Sequence, residues 1–190
     1  MTHKEDILNI ARDRFAHQGI PATSVQDIAD HSGTSKANVL YHFTTKELLL
    51  DAALAPALDA LEAIVAGAQQ TLLSQSTDRQ VFVDAFVDFL LTHRMSVQIV
   101  VSHPYLADSA QSLQQAQALM HRLASVLADH TADETELTRF GIAVSGATYA
   151  LVSGGILGIE PMDPDKLRSL LRDFLQSTLH LDASAPAVVS

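Results

Sequence analysis

TSVQDIADHSGTSKANVLYHFTTKEL, residues 23–48, reads as a helix, a tight turn and a second helix. Ser24 stands just before the apolar-periodic run Val25, Ile28 and Ala29, and Asp27 follows it by three positions. That is an N-cap with an acid in the first turn, close to a capping box. The carboxylate also faces the positive end of the helix dipole. The helix is expected to stop at Gly33, because a residue without a Cβ takes the left-handed conformation a sharp turn needs. Ser35 then caps a second short helix, KANVLYHF. Within it Val39 and Phe43 are four apart and pack inward, while Lys36, Ala37, Asn38, Tyr41 and His42 lie on or beside the other face. A helix pair joined by a Gly-containing turn, with a polar second helix, is the helix-turn-helix signature.

Outward from this stretch the chain reads as helical throughout. Upstream, Ile7, Leu8, Ile10, Ala11 and Phe15 give helical spacing from about Lys4 to His17, with Gly19 ending the helix and Pro21 marking a loop. Downstream, Thr45 caps a long helix from Lys46 toward Leu73, with a kink or break expected near Ala55 because Pro56 lies inside it. A polar connection, Ser74–Gln80, leads to a helix from about Asp78 to His93. Then come a short apolar segment (Met95–Ser102), a loop (His103–Asp108) and a helix from about Ser109 to His130. Glu134–Ile159 and Pro164–Leu179 are the last two helical stretches, the latter with proline at its start. Residues 181–190 read as a disordered tail.

The residues Ala11, Phe15, Ala16, Gly19, Thr23, Ser24, Val25, Asp27, Ile28, Ala29, Ser32, Gly33, Ser35 and Lys36, followed by Tyr41, His42, Phe43, Lys46, Glu47, Leu48 and Leu49, carry a resemblance. At these offsets they resemble the N-terminal domain of TetR-type (tetracycline-repressor-like) transcriptional regulators. One position departs: the family often carries two aromatics before the His-Phe pair, and here the first is Leu40.

The resemblance implies an all-α protein, with a three-helix helix-turn-helix domain over residues 1–48 and a helical effector-binding and dimerisation domain over 49–180. It implies a homodimer on a near-palindromic operator in double-stranded DNA, with two recognition helices about 34–36 Å apart or slightly more. Lys36 would donate to guanine, Asn38 pair with adenine and the Ala37 methyl touch thymine. Thr23, Ser35, Tyr41, His42 and Lys46 would hold phosphates and fix register. An effector pocket is implied among the central helices, with Phe86, Phe89, His93, Tyr105, Met120 and Tyr149 as candidate lining. The last two helices would form the dimer interface, where Gly146, Ala147 and Ala150 allow close approach and Leu171 and Phe174 supply apolar contact. A small-molecule effector would release or reposition the dimer, most often a repressor in this family. The alternative is a helical ligand-binding or interaction protein of the same fold that has lost DNA binding.

Charge is the awkward feature of that reading. The 190 residues carry a net charge of −10. Residues 1–50 hold five Lys or Arg against six acids, whereas the remainder holds seven against sixteen, so the acidity sits behind a nearly neutral head. Lys36, Lys46 and His42 are expected to cluster where phosphates lie, and the acidic remainder to disfavour loose non-specific binding. With no cysteine, neither disulfides nor thiolate-metal sites can form. No nucleophile elbow, P-loop, dinucleotide fingerprint or zinc-protease motif occurs, so neither an enzyme nor a metal or cofactor protein is expected. Phe140–Ile159 carries no charge over twenty residues, but it holds five glycines and no cation follows closely. It reads as a helix buried on two sides rather than a membrane span. The charged, amphipathic start lacks a secretory pattern, which favours the cytoplasm.

Overall fold

The computed structural model describes residues 4–71, 76–128, 134–153 and 162–178. Every regular element among them is helical: α1 (Lys4–Gln18), α2 (Val25–His31), α3 (Lys36–Phe43), α4 (Lys46–Thr71), α5 (Ser76–Thr92), α6 (Arg94–Ser102), a 3-10 turn (Pro104–Ser109), α7 (Gln111–Ala128), α8 (Glu134–Ser153) and α9 (Pro164–Thr178). Three expectations change. The short apolar segment after His93 is a true helix, α6, and the loop after it is the 3-10 turn. α4 runs unbroken through Pro56; that residue is exposed, so the carbonyl deprived of its N–H partner can turn to water. The expected tail and the end of the Glu134–Ile159 stretch, residues 154–159, lie outside the described residues. None of the helices among the described residues is long and apolar enough to cross a membrane.

The chain divides into two compact units, Met1–Glu62 with His93–His121, and Ala63–Thr92 with Arg122–Ser190. The division by packing therefore differs from one drawn at residue 48, because α6 joins the N-terminal helices. In the first unit α1 packs on α2 and α6, and α2 packs on α3. Its core is built from Ile7, Ala11 and Phe15 of α1, Ile28 of α2, Val39 of α3, Leu49, Leu50 and Leu54 of α4, and Ile99 of α6. Each such side chain, taken out of water, contributes on the order of 1.5–3 kcal/mol, somewhat less for alanine.

In the second unit α9 packs on α5 and α8. Phe82, Phe86 and Leu90 of α5 are buried, as are Val144, Ala147 and Leu151 of α8 and Leu171 and Leu175 of α9. Phe86 stacks between Phe82 and Phe89, at centroid separations of 6.0 and 6.2 Å. Phe82 also meets Phe140 at 6.2 Å. Phe82 and Phe86 are thus packed core, with Phe89 half-buried beside them.

Candidate nucleic-acid interface

Two serine caps and one glycine turn make the helix pair. Ser24 Oγ accepts from the Asp27 N–H at 3.0 Å, and Ser35 Oγ accepts from the Asn38 N–H at 3.1 Å. Each satisfies one of the donors a helix start leaves orphaned. Gly33 takes φ +64°, and the Thr34 N–H reaches back to the Ala29 carbonyl at 3.0 Å, closing α2 in a Schellman-type turn. The Asp27 carboxylate, however, goes to Arg14 of α1 rather than back toward its cap. Arg14 donates Nε to Oδ2 at 2.9 Å and Nη2 to Oδ1 at 3.2 Å. That two-pronged bond, with Arg14's charge beside it, holds the Asp27 carboxyl below the ordinary carboxylate range.

α3 buries Val39 and Phe43, which fixes its opposite face outward. Ala37 and Tyr41, one turn apart, share the centre of that face. Lys36, Ala37, Tyr41 and His42 are exposed, Tyr41 to 82%. Tyr41 meets the His42 ring edge-on at 5.3 Å. Asn38 is half-buried, and its amide donates to Thr34 Oγ1 at 2.9 Å, so reading a base edge would cost it that bond. Leu40 is also half-buried. α3 ends at Thr44, whose φ of +60° and ψ of −51° are those of a γ-turn, closed by the Thr45 N–H on the Phe43 carbonyl at 2.6 Å. Thr45 Oγ1 then caps α4 by accepting from the Leu48 N–H at 3.2 Å.

Two expected phosphate contacts need correction. Thr23 is only 1% exposed, and its hydroxyl lies 2.9 Å from the Gly19 carbonyl and 3.2 Å from that of Arg14. It is a buried link, not a surface donor. Lys46 turns inward as well: Nζ donates to the Ile20 carbonyl at 2.9 Å and the Thr23 carbonyl at 3.1 Å. The expected cation cluster is therefore thinner than the sequence implied. Arg14 is engaged by Asp27, and the Lys4 ammonium lies 5.5 Å over the Phe43 ring. Lys36 and His42 remain on the surface beside Ser35.

The six candidate pocket residues are divided between the two compact units. His93, Tyr105 and Met120 belong to the first unit, and Phe86, Phe89 and Tyr149 to the second. Tyr105 is 69% exposed, and Met120 and Tyr149 are also exposed. Burial, with the nearby charge of Arg12 second, pushes the pKa of His93 down. A cleft of about 200 Å³ in the first unit is lined by Ile20, Pro21, Lys46, Glu47, Leu50, Leu106, Ala110 and Leu113, none of them among the six. Of the expected dimer residues, Gly146, Ala150 and Phe174 are exposed, but Ala147 and Leu171 are buried in the single chain.

Residues 7–53 match the family of bacterial regulatory proteins, tetR family. Over those residues the head is similar to TetR-type regulators. The chain is 32% identical over 84 residues to the HTH-type transcriptional repressor KstR2 of Rhodococcus jostii (strain RHA1), covering 44% of this chain and 39% of that one. It is 43% identical over 56 residues to the HTH-type transcriptional regulator RutR of Escherichia coli (strain K12), covering 30% and 26%. The matched stretch thus spans well under half the length of these relatives. The structure of the ketosteroid transcriptional regulator KstR2 of Mycobacterium tuberculosis has a TM-score of 0.66 at 19% identity, covering 93% of this chain and 92% of that one. The TetR-family regulator PfmR of Thermus thermophilus has a TM-score of 0.58 at 23% identity, covering 94% and 96%. At such identities the likeness extends the TetR fold beyond the head and says nothing of ligands. Gln98 and His103, which tie α6 to the head, were not visible in the sequence: a side chain meeting backbone some 80 residues away leaves no local signal.

Proposed function

We propose that the protein is a ligand-responsive transcriptional regulator, a repressor in its commonest form, that binds a near-palindromic operator as a homodimer. The observation that carries this reading is the outward face of α3, held by two serine caps and the buried Val39–Phe43 pair inside the residues that match the family. Lys36 and Ala37 at its start reach base edges. Asn38 joins them by giving up Thr34, and Tyr41, His42 and Ser35 supply backbone contacts. The dimer forms through α8 and α9. There Ile142, Tyr149, Leu170 and Phe174 are exposed apolar side chains, and Gly146 leaves space beside Phe174. The effector is a small, largely apolar molecule, in keeping with a second unit rich in aromatic and aliphatic side chains.

The test is selection of genomic fragments by the purified protein at two salt concentrations. One palindromic motif, enriched at both and bound more weakly at the higher, supports a regulator. A folded dimer that enriches no motif, with or without apolar candidate effectors, contradicts it.

A further inference from the structure

Ile20, in the turn between α1 and α2, is gripped on both sides. Its carbonyl accepts from Lys46 Nζ of α4 at 2.9 Å. Its N–H donates to Nε2 of His103, at the end of α6, at 3.3 Å. The His103 ring is buried, and its other nitrogen, Nδ1, lies 2.9 Å from the Ile99 carbonyl. A carbonyl only accepts, so Nδ1 carries the proton. A backbone N–H only donates, so Nε2 must be bare. The two partners together demand one neutral tautomer. The same Nε2 stands 3.0 Å from the point where a Cβ on Gly19 would lie, and Gly19 has φ +86°. Only glycine meets both conditions there without strain. Gln98 adds a second tie, donating from Nε2 to the Ala16 carbonyl at 2.9 Å. α6 therefore holds the end of α1 and the turn into α2 by backbone groups.

We propose that His103 is a positioning residue for DNA binding: through its bond to the Ile20 N–H it fixes the turn that delivers Thr23 and Ser24 to the start of α2, and so the attitude of α3. The inference rests on the DNA-binding reading above. A buried ring that merely filled space would be replaceable by another ring. A ring acting through Nε2 is replaceable only by a side chain that still offers an acceptor to Ile20. His103→Phe keeps a ring, somewhat larger than imidazole, and removes the acceptor; His103→Gln keeps an acceptor and loses the ring.

Both variants of the full chain would be titrated against a fragment selected by the wild-type protein, with exchange of the Ile20 amide followed by NMR. The expected result is that His103→Phe loses protection at Ile20 and binds at least about tenfold more weakly, while His103→Gln stays within about threefold of wild type on both readouts. Wild-type affinity in His103→Phe overturns the proposal, and so does an equal defect in the two variants. If His103→Phe does not fold, nitrogen chemical shifts of the wild-type ring decide: a neutral ring protonated on Nδ1 supports the assignment, and any other form overturns it. Wild-type protein that binds no fragment removes the functional reading, and this role with it; a loss confined to the variants cannot be mistaken for that.

Discussion

Thr23 shows how a single atom decides a role. A hydroxyl has one proton to donate, and here two carbonyls, those of Gly19 and Arg14, stand within reach of it. Replacing it by valine keeps the shape and removes the hydroxyl's bond, at a cost of about 1 kcal/mol, while the Gly19 carbonyl still accepts from the backbone N–H of residue 23 at 3.2 Å. For a chain of this size that lowers the melting temperature by about 2–4 °C. Thr23→Val should at the same time leave DNA affinity unchanged at every salt concentration, because a neutral hydroxyl on a phosphate adds affinity without changing the counterion slope and its loss would weaken binding throughout. Thermal melts and a salt titration of the same variant check both halves. The sequence marks Thr23 as polar and next to a cap; it does not say which way the hydroxyl points. Lys46 carries the same lesson, since a cation near a helix start looks like a phosphate ligand until its ammonium is seen on two carbonyls.

At the scale of elements, α1 and α2 are joined by Arg14 and Asp27. The Asp27 carboxyl is held below its ordinary value first by the hydrogen bond from Arg14. The unfolded chain, with an ordinary carboxyl, binds its proton near pH 4. The pair therefore stabilises the fold fully above about pH 4, and that contribution is lost as the pH falls through the lowered folded value. Asp27→Asn should melt below the wild type near neutrality and converge with it in acid, followed by melting temperature across pH 7 to 3. A constant difference over that range would sink the argument. Local chemistry made this layer readable in advance: Ser24, Ser35, Thr45 and Gly33 act through neighbours within a few residues, and all four do in the structure what their types favour. The γ-turn at Thr44 was not readable, because a β-branched residue is a poor choice for positive φ, and it is tolerated here at the joint between α3 and α4.

For the whole molecule, the decisive surface is the apolar face left on α8 and α9. Ile142 is 63% exposed, with Tyr149, Leu170 and Phe174 also exposed on these two helices. The family resemblance pointed to these two helices, but it could not divide each into an inward and an outward half. Hence Ala147 and Leu171 were expected at the interface and lie in the core instead. Ile142→Asp should leave the fold intact, since the side chain already faces water in the single chain, and shift the protein from dimer to monomer in analytical ultracentrifugation. It should also weaken operator binding, because two half-sites would no longer be held together. An Ile142→Asp protein that remains dimeric places the interface elsewhere.

The net charge of −10 leaves little room for non-specific attraction to DNA, so sequence reading by α3 has to carry the affinity. The most direct measurement is the anisotropy of a labelled, selected palindrome titrated with wild-type protein and with Lys36→Ala, beside a scrambled fragment of equal length. The wild type should prefer the palindrome, and Lys36→Ala should lose about 1–3 kcal/mol of that preference. Equal binding of palindrome and scrambled fragment, or a Lys36→Ala protein indistinguishable from wild type, would contradict the assignment of α3 as the reading helix.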